Sequence, residues 1–197
     1  LAKEVPEATV VRQARTLEPG YALKNAVSAG NAATSSAKQS GGIKKLIKST
    51  VRAIGNAVLQ PDAQILWYPG AVKEGLQLLT DLKHDAIFVT APPFSSFVTG
   101  AALSRRSGLP LIVDYRDEWG ISNQFQENRQ KSSLSHSLQN RMQQKVLRQA
   151  SAVVATTGRS AGSVAESVKR AHGDATVSCV YNGYDSTDFS TSAQCTD

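Results

Sequence analysis

Residues 86–119 limit most tightly what this chain can fold into. Two short apolar runs, Ile87–Val89 and Leu111–Val113, flank a stretch in which Phe97, Val98, Ala101, Ala102 and Leu103 share a helical face. Short continuous apolar runs mark strands covered on both faces of a parallel sheet. Ser95 or Ser96 is placed to cap the helix between them, and Gly108-Leu109-Pro110 to end it. The stretch therefore predicts one βαβ crossover, right-handed as such units are. Its loops after Thr90 and after Val113 leave the carboxyl ends of neighbouring strands, where open α/β sheets bind ligands.

The rest of the chain repeats this alternation. Residues 8–13, Ala-Thr-Val-Val-Arg-Gln, read as a short strand, closed by the turn at Pro19-Gly20. A first strand with a glycine loop is expected before it and none is read, so the domain is expected to lack its first strand. Residues 28–42 are small and polar and read as a mobile loop. After Pro61-Asp62 comes Trp67-Tyr68-Pro69-Gly70 and a helix reaching about His84, with Val72, Leu76, Leu79 and Leu82 inward. Trp67 and Tyr68 either stack on a sugar or base or plug the core, and His84 reads as a helix-end residue.

Beyond the central unit, residues 120–133 are polar and irregular. A helix follows over 134–149, with Leu138, Met142, Val146 and Leu147 inward and His136 in its first turn. Strands at 151–157 and 175–181 flank a helix reaching about His172, and Asn182-Gly183-Tyr184-Asp185 forms a tight turn. Strands alternating with helices throughout predict a single α/β domain over 1–189: a Rossmann-like, doubly wound parallel sheet in three α/β/α layers. Residues 190–197 read as a frayed tail. A chain of 197 residues suffices for one such core.

The net charge of +6 is concentrated in one segment. Between Glu18 and Asp62 there is no acid, and Lys24, Lys38, Lys44, Lys45, Lys48 and Arg52 supply the whole excess. Over 43–58, Ile43, Leu46, Ile47, Val51, Ile54 and Val58 fall on one helical face, with Lys44, Lys45, Lys48 and Arg52 opposite. This is either a basic amphipathic helix that lies on an anionic membrane surface or docks a lipid-linked substrate, or a surface helix with a solvated lysine face and its apolar stripe in the core. Nucleic acid is not an expected partner, because no aromatic residues interleave with the lysines. Two cysteines make no disulfide framework, and Cys179 reads as a small buried residue, so a cytoplasmic setting is expected. No apolar run approaches the ~20 residues of a spanning helix.

The chain has no G-x-G-x-x-G after a strand, no Walker loop, no H-E-x-x-H, no cysteine pair at metal spacing and no G-x-S-x-G elbow. The common dehydrogenase, NTPase, zinc-hydrolase and α/β-hydrolase readings therefore fall away, and no metal site is expected. Candidate chemistry lies in the strand-end loops. Thr90-Ala91-Pro92-Pro93-Phe94-Ser95-Ser96 offers hydroxyls and amides at a helix start, suited to an anionic or hydroxylated ligand. Asp114-Tyr115-Arg116-Asp117-Glu118-Trp119 packs four ionisable groups just past an apolar strand, a costly arrangement unless they are paired or used. Arg116 can fork to a carboxylate or phosphate. Asp114 and Asp117 can accept sugar hydroxyls or a proton. The plainer alternative is an internal ion-pair knot holding the loop.

From about Pro61 to Phe189 these motifs, in this order, resemble the N-terminal half of a two-domain GT-B glycosyltransferase of the family 4 type. Pro61-Asp62…Trp67, Ala91–Ser96, Gly108-Leu109-Pro110…Asp114–Trp119, Ala152–Thr157 and Tyr181-Asn182-Gly183-Tyr184-Asp185…Asp188-Phe189 carry the likeness. The resemblance implies an enzyme that moves a sugar from a nucleotide-sugar donor to an acceptor hydroxyl of a glycan or lipid-linked acceptor. It implies retention of configuration, with no essential metal and the donor as co-substrate rather than cofactor. Most of the donor site would lie in a C-terminal domain absent from this sequence, so the piece alone is expected to be inactive.

Carried onto this sequence, the resemblance gives Asp114 and Asp117 to sugar hydroxyls and Arg116 to loop order or a phosphate. Thr90, Pro92, Pro93, Ser95 and Ser96 would line the cleft, with Asn182, Gly183 and Asp185 at the hinge. Many relatives carry His-Asp where this chain has Arg116-Asp117, so no general base is assigned. If residues 43–58 touch lipid, the protein sits peripherally at the inner membrane face. The competing expectation is a Rossmann-like module that binds a sugar or a partner without catalysis.

Overall fold

The computed structural model describes residues 6, 8–17, 59–119 and 133–185. A 3₁₀ turn over Ala63–Trp67 leads into helix α1 (Tyr68–Asp81). Strand β1 (Ile87–Ala91), helix α2 (Ser95–Ser107), strand β2 (Leu111–Tyr115), helix α3 (Ser133–Gln149), strand β3 (Ala152–Ala155), helix α4 (Gly158–Arg170) and strand β4 (Thr176–Cys179) follow. The strands form one parallel sheet in the order β1-β2-β3-β4, so α2, α3 and α4 each bridge adjacent strands. The expected alternation is present, and the fold is a Rossmann-like α/β domain.

Alternation along the strands sorts residues between the two faces of the sheet. Ile87, Ala91, Leu111, Val113, Tyr115, Val153 and Ala155 are buried in one cluster with Phe97 of α2, Val146 and Leu147 of α3, and Val164 and Val168 of α4. The intervening row, Phe88, Ile112 and Ala152, aligned by the register, lies on the other face. There Phe88 is 60% exposed, so β1 is not covered on both faces by the described residues. The second helical layer of the expected three is not among them.

Helix α2 packs tightly on the sheet at Gly100. A Cβ on its Gly100 would lie 2.6 Å from Val89 Cγ1 and 3.1 Å from Leu111 Cδ1, so only glycine permits this approach. The helix ends as expected at Gly108, whose φ of 76° is left-handed. Below that turn Ser104 donates to the Leu109 carbonyl at 2.7 Å and accepts from Gln149 of α3 at 3.2 Å.

Two expectations are corrected. Residues 8–13 form no strand and pair with no described one; Val11 is 70% exposed. Their segment runs alongside α1 instead, from its end back to the 3₁₀ turn before it. The Leu17 amide donates to the Leu66 carbonyl at 3.2 Å, Arg12 lies 3.8 Å from Asp81, and Gly70 leaves room for the Arg15 backbone. Adjacent valines satisfied the local strand pattern, but the Thr9 amide turns back to the Pro6 carbonyl and the Leu17 amide bonds to the 3₁₀ turn. Cys179, read as buried, is a half-buried free thiol on edge strand β4. Residues 28–42, the basic stretch 43–58, the loop from 120 to 132 and the tail 190–197 lie outside the described residues. No helix among the described residues is long and apolar enough to cross a membrane.

Candidate functional site

The carboxyl ends of β1 and β2 meet as the sequence predicts. Thr90 is opposite Asp114 in the register, and the threonine hydroxyl donates to Asp114 Oδ2 at 2.8 Å. Asp114 is only 8% exposed, yet it lies on the face of the sheet away from the helices, whereas its neighbour Tyr115 points into the core. Burial raises the Tyr115 phenol far above its ordinary value, with the Gln143 side chain beside it as a weaker opposing influence. Tyr115 is therefore a neutral core residue.

After Tyr115 the Arg116 amide donates to the Ala91 carbonyl at 3.1 Å, extending the ladder by one bond. Arg116 and Asp117 are exposed and make no ion pair among the described residues. Glu118 accepts from Ser163 of α4 at 2.9 Å, and the Arg116 carbonyl accepts from Thr156 at 3.3 Å. The loop is therefore tied by hydrogen bonds to β1, to Thr156 just past β3 and to α4, and no ion pair among the described residues holds it. Arg116 and Asp117 are left facing solvent beside the Asp114–Thr90 pair.

The other loop is anchored from below. Peptide bonds Ala91-Pro92 and Pro92-Pro93 are both cis, and Pro92, Pro93 and Ser96 are half-buried. Phe94 is buried and stacks on Trp119, with ring centroids 4.7 Å apart and planes at 23°. Ser95 is fully buried, so it supports the loop and its hydroxyl does not line the cleft. That hydroxyl accepts from Trp67 Nε1 at 3.4 Å, which makes Trp67 a prop for the loop.

The capping expectation for α2 is also corrected. Its N-cap is Phe94 with no side-chain cap bond, and neither Ser95 nor Ser96 caps the helix. Instead Asp62, from a distant segment, accepts the Ser95 amide at 2.9 Å. A carboxylate at a helix start satisfies an orphan amide and meets the positive end of the dipole. Sequence spacing could not reveal this cap, because 33 residues separate donor and acceptor.

Burial pushes the Asp62 carboxyl above its usual range, and donors from Ser95 offset this only in part. Its Oδ1 closes no hydrogen bond. The folded domain therefore holds the Asp62 proton more tightly than the unfolded chain does. The stability this contributes is fully present below the ordinary carboxylate pKa and is lost as pH rises through the raised value. Asn at 62 keeps an acceptor for the Ser95 amide without burying charge. Asp62→Asn should thus be at least as stable as the parent in urea at pH 7, with an advantage that shrinks toward pH 4. Asp62→Ala should lose about 1–2 kcal/mol at pH 7. An Asn variant markedly weaker than the parent at pH 7 would refute this account.

Asn182, Gly183 and Asp185 are exposed and follow β4 without regular structure. The last ladder bond there runs from the Val180 amide to the Ala155 carbonyl at 2.9 Å. With strands about 4.8 Å apart, two steps put this end of β4 roughly 10 Å from β2. All the candidate positions thus share one edge, and a side-chain hydrogen bond joins Thr90 to Asp114 across its two strands. Gln60 and Gln139, which no motif singles out, support the loops together with Asp62 and Trp67 of the Pro61-Asp62…Trp67 motif. No group of metal-ligating side chains occurs among the described residues.

Compared with known proteins, residues 48–177 match the model of a glycosyl transferase 4-like domain. The match takes in both loops and stops short of Asn182–Asp185. No curated protein matches the chain, and no solved structure does.

Proposed function

Because the chain belongs to the glycosyl transferase 4-like family, we propose that this sheet edge is the acceptor side of a glycosyl-transfer site. A sugar passes from a nucleotide-sugar donor to an acceptor hydroxyl of a glycan or lipid-linked acceptor, with its configuration retained. The observation that carries the reading is the Thr90–Asp114 pair at the strand ends, on the face opposite the described helices, with Arg116 and Asp117 solvent-facing beside it.

Each group has chemistry suited to that task. Thr90 occupies one lone pair of Asp114 and orients the carboxylate, leaving its other oxygen to accept a sugar hydroxyl. Asp117 supplies a second acceptor. Arg116 presents a guanidinium fork that suits a phosphate oxygen pair. Pro92, Pro93 and Ser96 wall the cleft, and Asn182, Gly183 and Asp185 lie toward a hinge. In this proposal the donor is a co-substrate held chiefly by a second domain, and no metal or resident cofactor is assigned. The proposed setting is cytoplasmic, with residues 43–58 against anionic lipid at the inner membrane face.

The test uses the full-length gene product with a panel of UDP- and GDP-sugars, offering membrane lipid extract and free oligosaccharides as acceptors. Acceptor-dependent release of nucleoside diphosphate is expected. Asp117→Asn should lower the rate about tenfold with the circular dichroism unchanged. A parent-like rate in that variant removes Asp117 from the site. Sugar binding without turnover by any donor would favour a non-catalytic module.

A further inference from the structure

One buried polar side chain joins both loops of the site to the segment that supports them. Gln139, in the second turn of α3, is 1% exposed. Its Oε1 accepts from Trp119 Nε1 at 3.2 Å, and its Nε2 donates to the Pro61 carbonyl at 3.2 Å and to Gln60 Oε1. An indole N–H can only donate and a prolyl carbonyl can only accept, so this amide orientation alone serves both. From that hub one path runs through Trp119, which closes the charged loop and stacks on Phe94 of the proline loop. The other runs through Gln60-Pro61 to Asp62, which holds the Ser95 amide one residue beyond Phe94. The two paths close a ring through four segments distant in sequence.

An apolar side chain would suit the position better if volume were all it required. Positions 139, 142 and 146 share one face of α3, and Met142 and Val146 are apolar core residues. Burying an amide there costs desolvation that only its hydrogen bonds offset, and those to Trp119, Gln60 and Pro61 each end on a segment supporting the site.

We propose that Gln139 is a positioning residue: through Trp119 and Gln60-Pro61 it sets the charged loop 114–119 against the proline loop 91–96. That those loops hold a glycosyl-transfer site rests on the preceding reading, but their alignment does not.

The test is amide hydrogen exchange on the whole chain, comparing the parent with Gln139→Met, which keeps the volume and removes the hydrogen bonds. The amides of Ser96, Phe97 and Arg116 report the loops, because they donate to Pro93, Phe94 and Ala91 carbonyls there. Those of Val113 and Val153 report the central strands. We expect loop amides to exchange about tenfold or more faster, with the strand amides within about twofold of the parent. In protein labelled with 5-fluorotryptophan, the Trp119 resonance should move while that of Trp67 stays.

Equal acceleration of loops and strands would reduce Gln139 to bulk stability and overturn the proposal, as would no change in either. Should Gln139→Met not fold, Trp119→Phe keeps the stacked ring without its N–H and must still speed the loop amides; parent-like loops in that variant also overturn it. Neither readout needs a sugar, so inactivity toward every donor would sink the glycosyl-transfer reading while leaving this one standing.

Discussion

Asn in place of Asp114 should leave the domain folded and lower its transfer rate about 100-fold in the full-length gene product. The substitution is almost isosteric, and the Asn carbonyl can still accept from Thr90, which donates to the native carboxylate at 2.8 Å. What disappears is one negative charge on a residue 8% exposed at the strand end. A carboxylate that orients or partly deprotonates a hydroxyl, or that meets developing positive charge, contributes roughly 10²–10³-fold when sited in a partly desolvated pocket. The effect should fall on kcat more than on KM, because a lost hydrogen bond to a ground-state hydroxyl would raise KM alone. Initial rates of nucleoside diphosphate release, with a urea melt alongside, separate the outcomes. Parent-like kinetics in a folded Asp114→Asn protein would show that the Thr90–Asp114 pair is only a cross-strand tie. Thr90→Val is the companion: it strands the carboxylate and should cost about 1–3 kcal/mol of stability.

Removal of the Phe97 ring should be the most damaging single change to the fold. Phe97 is fully buried at the first turn of α2. It meets Phe94 edge-on at 5.8 Å, Tyr115 at 4.8 Å and Trp119 at 6.1 Å between ring centroids. Truncating such a ring costs about 3–5 kcal/mol through lost transfer energy and the cavity left behind. Set against a total stability of about 5–15 kcal/mol, that is a large share. With a urea dependence of about 2 kcal/mol per molar, Phe97→Ala should move the midpoint down by about 1.5–2.5 M. The gap opens directly beneath the Phe94–Trp119 stack, so both loops should lose order before the sheet does. A shift below about 0.5 M would mean that the aromatic cluster carries little of the core.

Local pattern was a good guide wherever the energetics are local. The apolar runs at 87–89 and 111–113 became β1 and β2, and Gly108 ended α2 in a conformation that costs other residues steric strain. The alternation of strands and helices led to a parallel sheet, and the strand-end loops fell on one edge as the topology of such sheets demands. The family likeness was equally legible, because order and spacing of motifs are linear properties.

Local pattern failed where a partner lay far off in sequence. Val10-Val11 resembles a strand, but the descending chain bonds to the 3₁₀ turn and α1 rather than to a sheet edge. Ser95 was read as a cap and a cleft residue, while Asp62 satisfies its amide and burial hides its hydroxyl. Gln139 lies between Leu138 and Met142, and nothing in the helix periodicity marks it as the amide that Trp119 needs.

The sequence by itself determined the fold class, the family and the sheet edge on which the strand-end loops meet. Those follow from periodicities and turn residues acting within a few positions of one another, and from motif order along the chain. Only the tertiary structure decided which charged groups are free and which are spoken for. Arg116 and Asp117 stand in solvent, Glu118 is tied to Ser163, Asp114 is held by Thr90, and Asp62 is buried under a helix. A charge or amide finds its partner wherever packing delivers one, and packing joins segments whose separation in sequence carries no record of their contact.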